Sequence, residues 1–264
     1  MSTVSTASIA GMVFSFIISI ALPIVLLIVV KRKTNAKVSS FFMGVLTFVV
    51  FALILEQFLH LAVNAVLGDT LTTNIWLYAL YGGLAAGIFE ETGRFLTMRF
   101  VMKKNLTKEN ALMYGVGHGG IEAILIAGLA ALSNIIIAFL VNAGQIDIIL
   151  STLDDTVRAT AMNSISQLWT LPSYLFYMSG VERISAIFVQ IALSYFVYRA
   201  VKDRKIRYYG IAVLLHALVD IVAVVANSYL PVPATEAIIF MLAVVLTVAA
   251  YRMYRSEVHE TTEI

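Results

Sequence analysis

Seven stretches of this chain, at residues 7–30, 40–67, 74–98, 109–142, 181–200, 208–228 and 235–252, are apolar over lengths that suit hydrocarbon. Several exceed the roughly 18 apolar residues that mark a membrane-spanning helix. The composition agrees, with 60% of the 264 residues hydrophobic and 13% charged, against roughly 25% charged in a soluble domain. The expected fold is an all-α polytopic membrane protein of about seven transmembrane helices, forming one transmembrane domain over residues 1–264. The fourth stretch is too long for one straight crossing, so tilt, a break or an added interfacial piece is expected there. Absence of cysteine excludes disulfides and thiolate metal sites. The opening MSTVSTASIAG has no basic n-region and reads as the start of a retained first helix rather than a signal peptide.

Basic residues cluster at alternate junctions. They follow the first stretch in KRKTNAK (31–37), the third at Arg99, Lys103, Lys104 and Lys108, the fifth at Arg199, Lys202, Arg204, Lys205 and Arg207, and the seventh at Arg252 and Arg255. These are 15 of the 18 Lys and Arg. The opposite loops carry Asp69, Asp147, Asp154, Asp155 and Glu236. By the positive-inside rule the N-terminus is expected outside and the C-terminus in the cytoplasm of a cell membrane. The implied surroundings are a lipid bilayer, with no nucleic acid. Residues 143–180 form a long semi-polar outer connection with an amphipathic helix expected before Pro172, and either a surface cap or a lid fits them.

Ionisable side chains deep in a bilayer cost at least about 2.5–3.5 kcal/mol each on insertion scales, so each needs a partner or a purpose. Here they are Glu56 and His60, Glu90, Glu91 and Arg94, His118 and Glu122, and His216 and Asp220. Glu90 stands 9 residues from Arg99, His118 stands 10 from Lys108, and His216 stands 9 from Arg207. At 1.5 Å per residue all three lie roughly 13–15 Å from the cytoplasmic edge. Glu122 and Asp220 follow one turn further in on the same helix faces as their histidines. The same count puts Glu56 and His60 roughly 28 Å past Lys37, as a supporting or gating pair. Arg94 follows Glu90 by four residues and Glu91 by three, so it can hold either, leaving the other freer for chemistry. Gly115 with Gly119, and Gly83 with Gly87, form small-residue faces expected to draw the third and fourth spans together.

Neutral imidazoles and carboxylates are first-choice ligands for a zinc-like ion, and a nearby glutamate can serve as general base. In HGGIE (118–122) and HALVD (216–220) the i, i+4 spacing lets two side chains of one helix reach one ion. The candidate metal set is therefore His118, Glu122, His216 and Asp220, with zinc the expected ion. A metal-free centre, in which a glutamate and a histidine activate water directly, fits the same residues. So does polar glue between helices. HExxH, GxGD and GxSxG motifs are absent.

EETGR (90–94), YGVGH (114–118) and HALVD (216–220) together resemble the glutamate-dependent intramembrane proteases. That superfamily includes the CAAX prenyl endopeptidases and the PrsW proteases. The nearest likeness is to the bacterial YhfC branch of intramembrane metalloproteases, carried by GIFEETGR, GHGGIEAIL and ERISAI…IALS. The resemblance implies that Glu90 or Glu91 activates water while the other pairs with Arg94. It implies that His118 is catalytic or metal-binding, and that His216 and Asp220 complete the centre. Two departures stand out. EExxR is one residue shorter than the EExxxR of the CAAX branch, and position 190, at the depth of the cluster, is Gln where many YhfC-like chains are expected to hold His.

The expected activity is that of an intramembrane endopeptidase acting on a membrane-associated protein or peptide. The alternative is a non-enzymatic membrane protein, a proton- or ion-coupled transporter or an immunity or scaffold protein, that keeps the polar cluster. No inverted repeat of the kind common in transporters is visible.

Overall fold

The structure, a computed structural model, describes residues 3–260. The two chain ends beyond them, whose sides of the membrane the charge pattern assigns, lie outside the described residues. Those described are all-helical, with no strand among them. The long helices are α1 (Thr6–Lys33), α2 (Val38–Leu67), α4 (Ile75–Leu96), α5 (Lys108–Asn142), α8 (Tyr174–Lys202), α9 (Arg207–Tyr229) and α10 (Val232–Glu260). Short helices α3 (Asp69–Thr73), α6 (Ile146–Leu150) and α7 (Asp155–Thr170) lie between them. Among the described residues six helices are long and apolar enough to cross a membrane: α1, α2, α5, α8, α9 and α10. Helix α4 stands outside that set because Glu90, Glu91 and Arg94 fall near the end of its 22 residues. The chain is thus a multi-pass membrane protein.

Local sequence sets the helix ends. Ser5, Asn74 and Thr107 cap α1, α4 and α5, their side chains accepting backbone N–H bonds at 3.0–3.2 Å. Lys31, Arg32 and Lys33 end α1, where cations complement the helix dipole. Asn110 then ties two junctions together. Its side chain accepts from Lys37 N at 2.7 Å and donates to Asn105 O at 2.6 Å.

Three π-helical turns interrupt the regular ladder, at Phe51–Leu55 in α2, Thr97–Val101 just after α4, and Ile124–Gly128 in α5. Such turns are rare and recur at functional sites. Each lies within three residues of a residue of the polar set: Glu56, Arg94 and Glu122 respectively. The turn in α5 falls near the middle of its 35 residues.

Helix α8 is the central column. Two-thirds (67%) of its most apolar window is buried, against 17–28% for the other five. Leu193, Tyr195, Val197 and Tyr198 are fully buried there, with Met98, Tyr114 and Ala212 in the same core. The outer helices carry the lipid-facing surface, with Phe58, Leu61, Val66 and Phe100 at 64–82% exposure. A side chain that faces lipid has no reason to be polar, whereas α8 packs against protein and keeps Ser185, Gln190 and Ser194.

The glycine faces work differently from the sequence expectation. Gly115 and Gly119 lie against Ile187, Gln190, Ile191 and Ser194 of α8, and Gly83 and Gly87 lie against Val213, Ala217 and Ile221 of α9. Neither face joins α4 to α5. The tightest approach is between α2 and α5. A Cβ at Gly44 would collide with the Tyr114 carbonyl and sit 2.7 Å from His118 N, and one at Gly117 would collide with the Phe41 carbonyl.

The connection over 143–180 is also largely helical. Helix α7 stands before Pro172 as the amphipathic pattern predicts, and α8 begins at Tyr174, seven residues ahead of the expected span. Ile165 and Leu168 pack with Val4, Met12, Ala138 and Val141, which seats α7 as a cap on α1 and the end of α5.

Backbone atoms cannot step aside for an added methyl. Gly44→Ala is expected to cost about 1–3 kcal/mol through overpacking, whereas Gly210→Ala, with nothing within 4 Å of its Cβ, is expected to be near neutral. Thermal unfolding of both variants in detergent checks this.

Candidate functional site

Helices α4, α5, α8 and α9 bring their polar residues into one buried network. Glu90, Glu91, Arg94, His118, Gln190 and His216 are each at most 6% exposed. Adjacent residues on α4 split the two carboxylates between different neighbours. Glu90 Oε2 accepts from His118 Nε2 at 2.8 Å and from Gln190 Nε2 at 3.1 Å. Glu91 Oε1 accepts from His216 Nδ1 at 2.8 Å. Arg94 Nη2 lies 3.4 Å from Glu91 Oε1 and 3.9 Å from Glu90 Oε2.

The arginine's shortest bonds are to α8 rather than to either glutamate. Nη2 donates to Gln190 Oε1 at 2.6 Å, and Nη1 donates to Gln190 O at 2.9 Å and Ser194 Oγ at 3.1 Å. Gln190 is therefore the hub of the network. Its carbonyl side holds Arg94, while its NH2 group donates to Glu90 and, at 2.7 Å, to Glu122 Oε2. An imidazole cannot offer two donors and an acceptor at once, as this double role requires.

The two histidines are fixed to different degrees. Glu91 accepts from His216 Nδ1, which turns its Nε2 toward Asp220 Oδ2 at 3.6 Å and Glu90 Oε2 at 3.9 Å. His118 has no partner at Nδ1 among the described residues. Packing holds its ring instead: Phe48 meets it edge-on at 5.3 Å, and Tyr114 stacks along it at 6.1 Å. Both Nε2 atoms thus face Glu90 Oε2.

Glu122 is placed apart from this group. Its carboxylate takes Gln190 on one oxygen and Arg183 Nη1, at 3.3 Å, on the other, and Arg183 also pairs with Glu182. The i, i+4 spacing sets Glu122 above His118, but tertiary partners turn its carboxylate toward α8. Glu56 and His60 pair at 3.2 Å, and Tyr81 bonds His60 Nδ1 at 2.7 Å. They lie nearer the centre than residue counting from Lys37 implies. Thr47 bonds Thr97 at 2.9 Å and the Phe51 ring lies against Gly93, so antiparallel α2 brings Glu56 level with the start of EETGR, within electrostatic reach of Glu90, His216 and Asp220. Lys37 and Arg99 do not mark the same depth, and the count assumed that they did. The open edge of the cluster is here, with the His60 side chain 33% and the Asp220 side chain 37% exposed.

Of the groups in contact with the network, Arg183, Ser194, Phe48 and Tyr81 were not singled out as site residues from sequence. Ser194 had a readable signal, four residues after Gln190 on one helix face. The others meet the site only through tertiary packing.

The family model of YhfC intramembrane metalloproteases matches residues 18–246, which include every residue of this network. The chain belongs to that family. A relative named "Uncharacterized membrane protein YhfC", from Bacillus subtilis (strain 168), is 44% identical over 224 residues, covering 84% of this chain and 86% of its own. No solved structure matches. The YhfC name implies a metal, and the donor types fit one, with two imidazole Nε2 atoms facing one Glu90 oxygen and Asp220 3.6 Å from His216. His216, anchored through Nδ1 to a carboxylate, has the orientation that metal-binding histidines take. In the described residues these groups bond to one another, and no three His, Asp or Glu stand in ligand spacing.

Removing Arg94 would strand Glu91, which is fully buried. Arg94→Met is expected to destabilise this YhfC member by about 3–5 kcal/mol, as breaking a buried ion pair does, and Glu91→Gln in the same chain should recover part of the loss. A double-mutant cycle of unfolding in detergent measures the coupling.

Proposed function

We propose that the chain is an intramembrane endopeptidase in which Glu90 is the water-activating base. One observation carries this reading: Glu90 Oε2 faces the Nε2 atoms of both His118 and His216, while Glu91 is fully buried against His216 Nδ1 and Arg94. Glu91 and Arg94 are then positioning residues. His118, His216 and Asp220 would hold a divalent ion, zinc by donor type. Glu122, on α5 and engaged by Gln190 and Arg183 of α8, plays a supporting part rather than serving as a ligand.

When bound, such an ion would act as a Lewis acid toward the scissile carbonyl. The protein's own part is proton handling. Water attacks the peptide carbon and passes its proton to Glu90, which returns it to the leaving amine as the C–N bond breaks. Gln190 donates to the Glu90 carboxylate and helps to hold it in place. The substrate class is a membrane-associated protein or peptide, which would enter at the edge marked by Asp220 and His60.

The reading includes seven crossings, α4 among them, with the N-terminus outside and basic junctions in the cytoplasm of a bacterial cell membrane. Supporting it are the alternation of basic and acidic junctions and the pairing of α4 with membrane-spanning α9 along Gly83 and Gly87. With no native cysteine, single-cysteine labelling is clean. An impermeant maleimide should reach Thr70→Cys in intact cells and Lys104→Cys only after permeabilisation; the reverse pattern inverts the topology.

Activity is tested in liposomes carrying a library of labelled transmembrane peptides, with products read by mass spectrometry. Glu90→Gln is expected to lose about 10²–10⁴-fold in cleavage while keeping its metal. Glu91→Gln should weaken metal affinity about 10–100-fold, as loss of an orienting carboxylate does. Full cleavage by Glu90→Gln sinks the assignment. The file of polar groups Glu182–Arg183–Glu122–Gln190–Glu90 also suits a proton relay. A metal-free protein that cleaves nothing and carries proton flux would put transport in place of proteolysis.

A further inference from the structure

Where α4 ends and α8 turns into α9, a cleft of about 640 Å³ opens among the clustered basic residues. That volume lies within the roughly 300–1,000 Å³ of small-ligand sites. Arg99, Lys103, Lys202 and Arg204 stand around it, and neither Asp nor Glu lines it. Lys202 is 3.5 Å from Glu257. Arg99, Lys103 and Arg204 have no carboxylate partner among the described residues. The Arg99 guanidinium is held 5.6–5.7 Å from the rings of Phe95 and Phe100, which orients it without neutralising it. Arg204 sits at φ 55°, left-handed for a non-glycine residue, in the turn that closes α8.

The rest of the lining is apolar. Met98 and Ala200 are buried beneath, and Phe100 and Ile206 are each 64% exposed at its mouth. A ligand matching both halves is an amphiphile with an anionic head. Free inorganic phosphate would satisfy the cations and leave Phe100 and Ile206 uncovered. We propose that this cleft binds one anionic phospholipid, its phosphate held by Arg99, Lys103 and Arg204 and its acyl chain lying along Phe100 and Ile206. Guanidinium groups meet phosphate oxygens in paired hydrogen bonds, and Lys supplies a point charge. Basic pockets between helices at a membrane surface are suited to such headgroups. The inference stands apart from the proposed proteolysis, since none of these residues belongs to the buried network.

The test uses the purified full chain in neutral detergent, with bound lipid counted by native mass spectrometry after adding phosphatidylglycerol or phosphatidylcholine. One phosphatidylglycerol is expected to be retained in preference to phosphatidylcholine. Each neutralised cation should lower retention about fivefold, so Arg99→Gln with Arg204→Gln should lose about 25-fold. Leu106→Trp, which fills the cleft and leaves every charge in place, should also release the lipid. Lys31→Gln with Lys33→Gln, on the end of α1, should retain it, and all variants should keep the parent melting temperature. Equal retention of the two lipids overturns the proposal. So does an unchanged Leu106→Trp, which would mean charge attraction without a site. Displacement by an acidic peptide, with no headgroup preference, would assign the cleft to a protein segment instead.

Discussion

Two adjacent carboxylates buried where water cannot reach them set the terms for the rest of the structure. An uncompensated charge there costs several kcal/mol, and Glu90 and Glu91 share only one buried arginine on their own helix. That guanidinium satisfies neither alone, since it stays 3.4 and 3.9 Å from them and makes its hydrogen bonds to α8. The remaining partners come from three other helices: His118 from α5, Gln190 from α8 and His216 from α9. The bundle around the site is therefore the set of helices that must meet for these charges to be buried at all.

That requirement explains the character of α8. A lipid-facing helix gains nothing from a polar side chain, but α8 is enclosed, and Gln190 is the residue through which Arg94, Glu90 and Glu122 are held together. Glutamine at this position is a gain in connectivity. It offers an acceptor to the arginine and two donors to the carboxylates, and its chain is long enough to touch all three. The glycines of α4 and α5 serve the same end. They let α9 and α8 approach closely, so that side chains of ordinary length can bridge between backbones.

Much of the site was legible because membrane burial is strict. In so apolar a chain any ionisable residue stands out, and counting turns from the basic junctions set Glu90, His118 and His216 at one depth. Those three do meet, two of them at 2.8 Å. The same counting set Glu56 too far away, because Lys37 and Arg99 end their helices at different heights. The glycine faces were legible as close contacts but not as to partner, since a small-residue stripe carries no information about which neighbour fills it.

The sequence by itself determined a helical membrane protein, its polar centre and the helices that supply it, because hydropathy and the 3.6-residue period are local properties of the chain. Tertiary structure decided which carboxylate meets which histidine, that Glu122 turns to Arg183, and that Arg94 bonds most closely to Gln190. The physical reason is that these choices are made between helices distant in sequence. There the winning partner is set by how closely two backbones pack and by which donor has no better acceptor within reach.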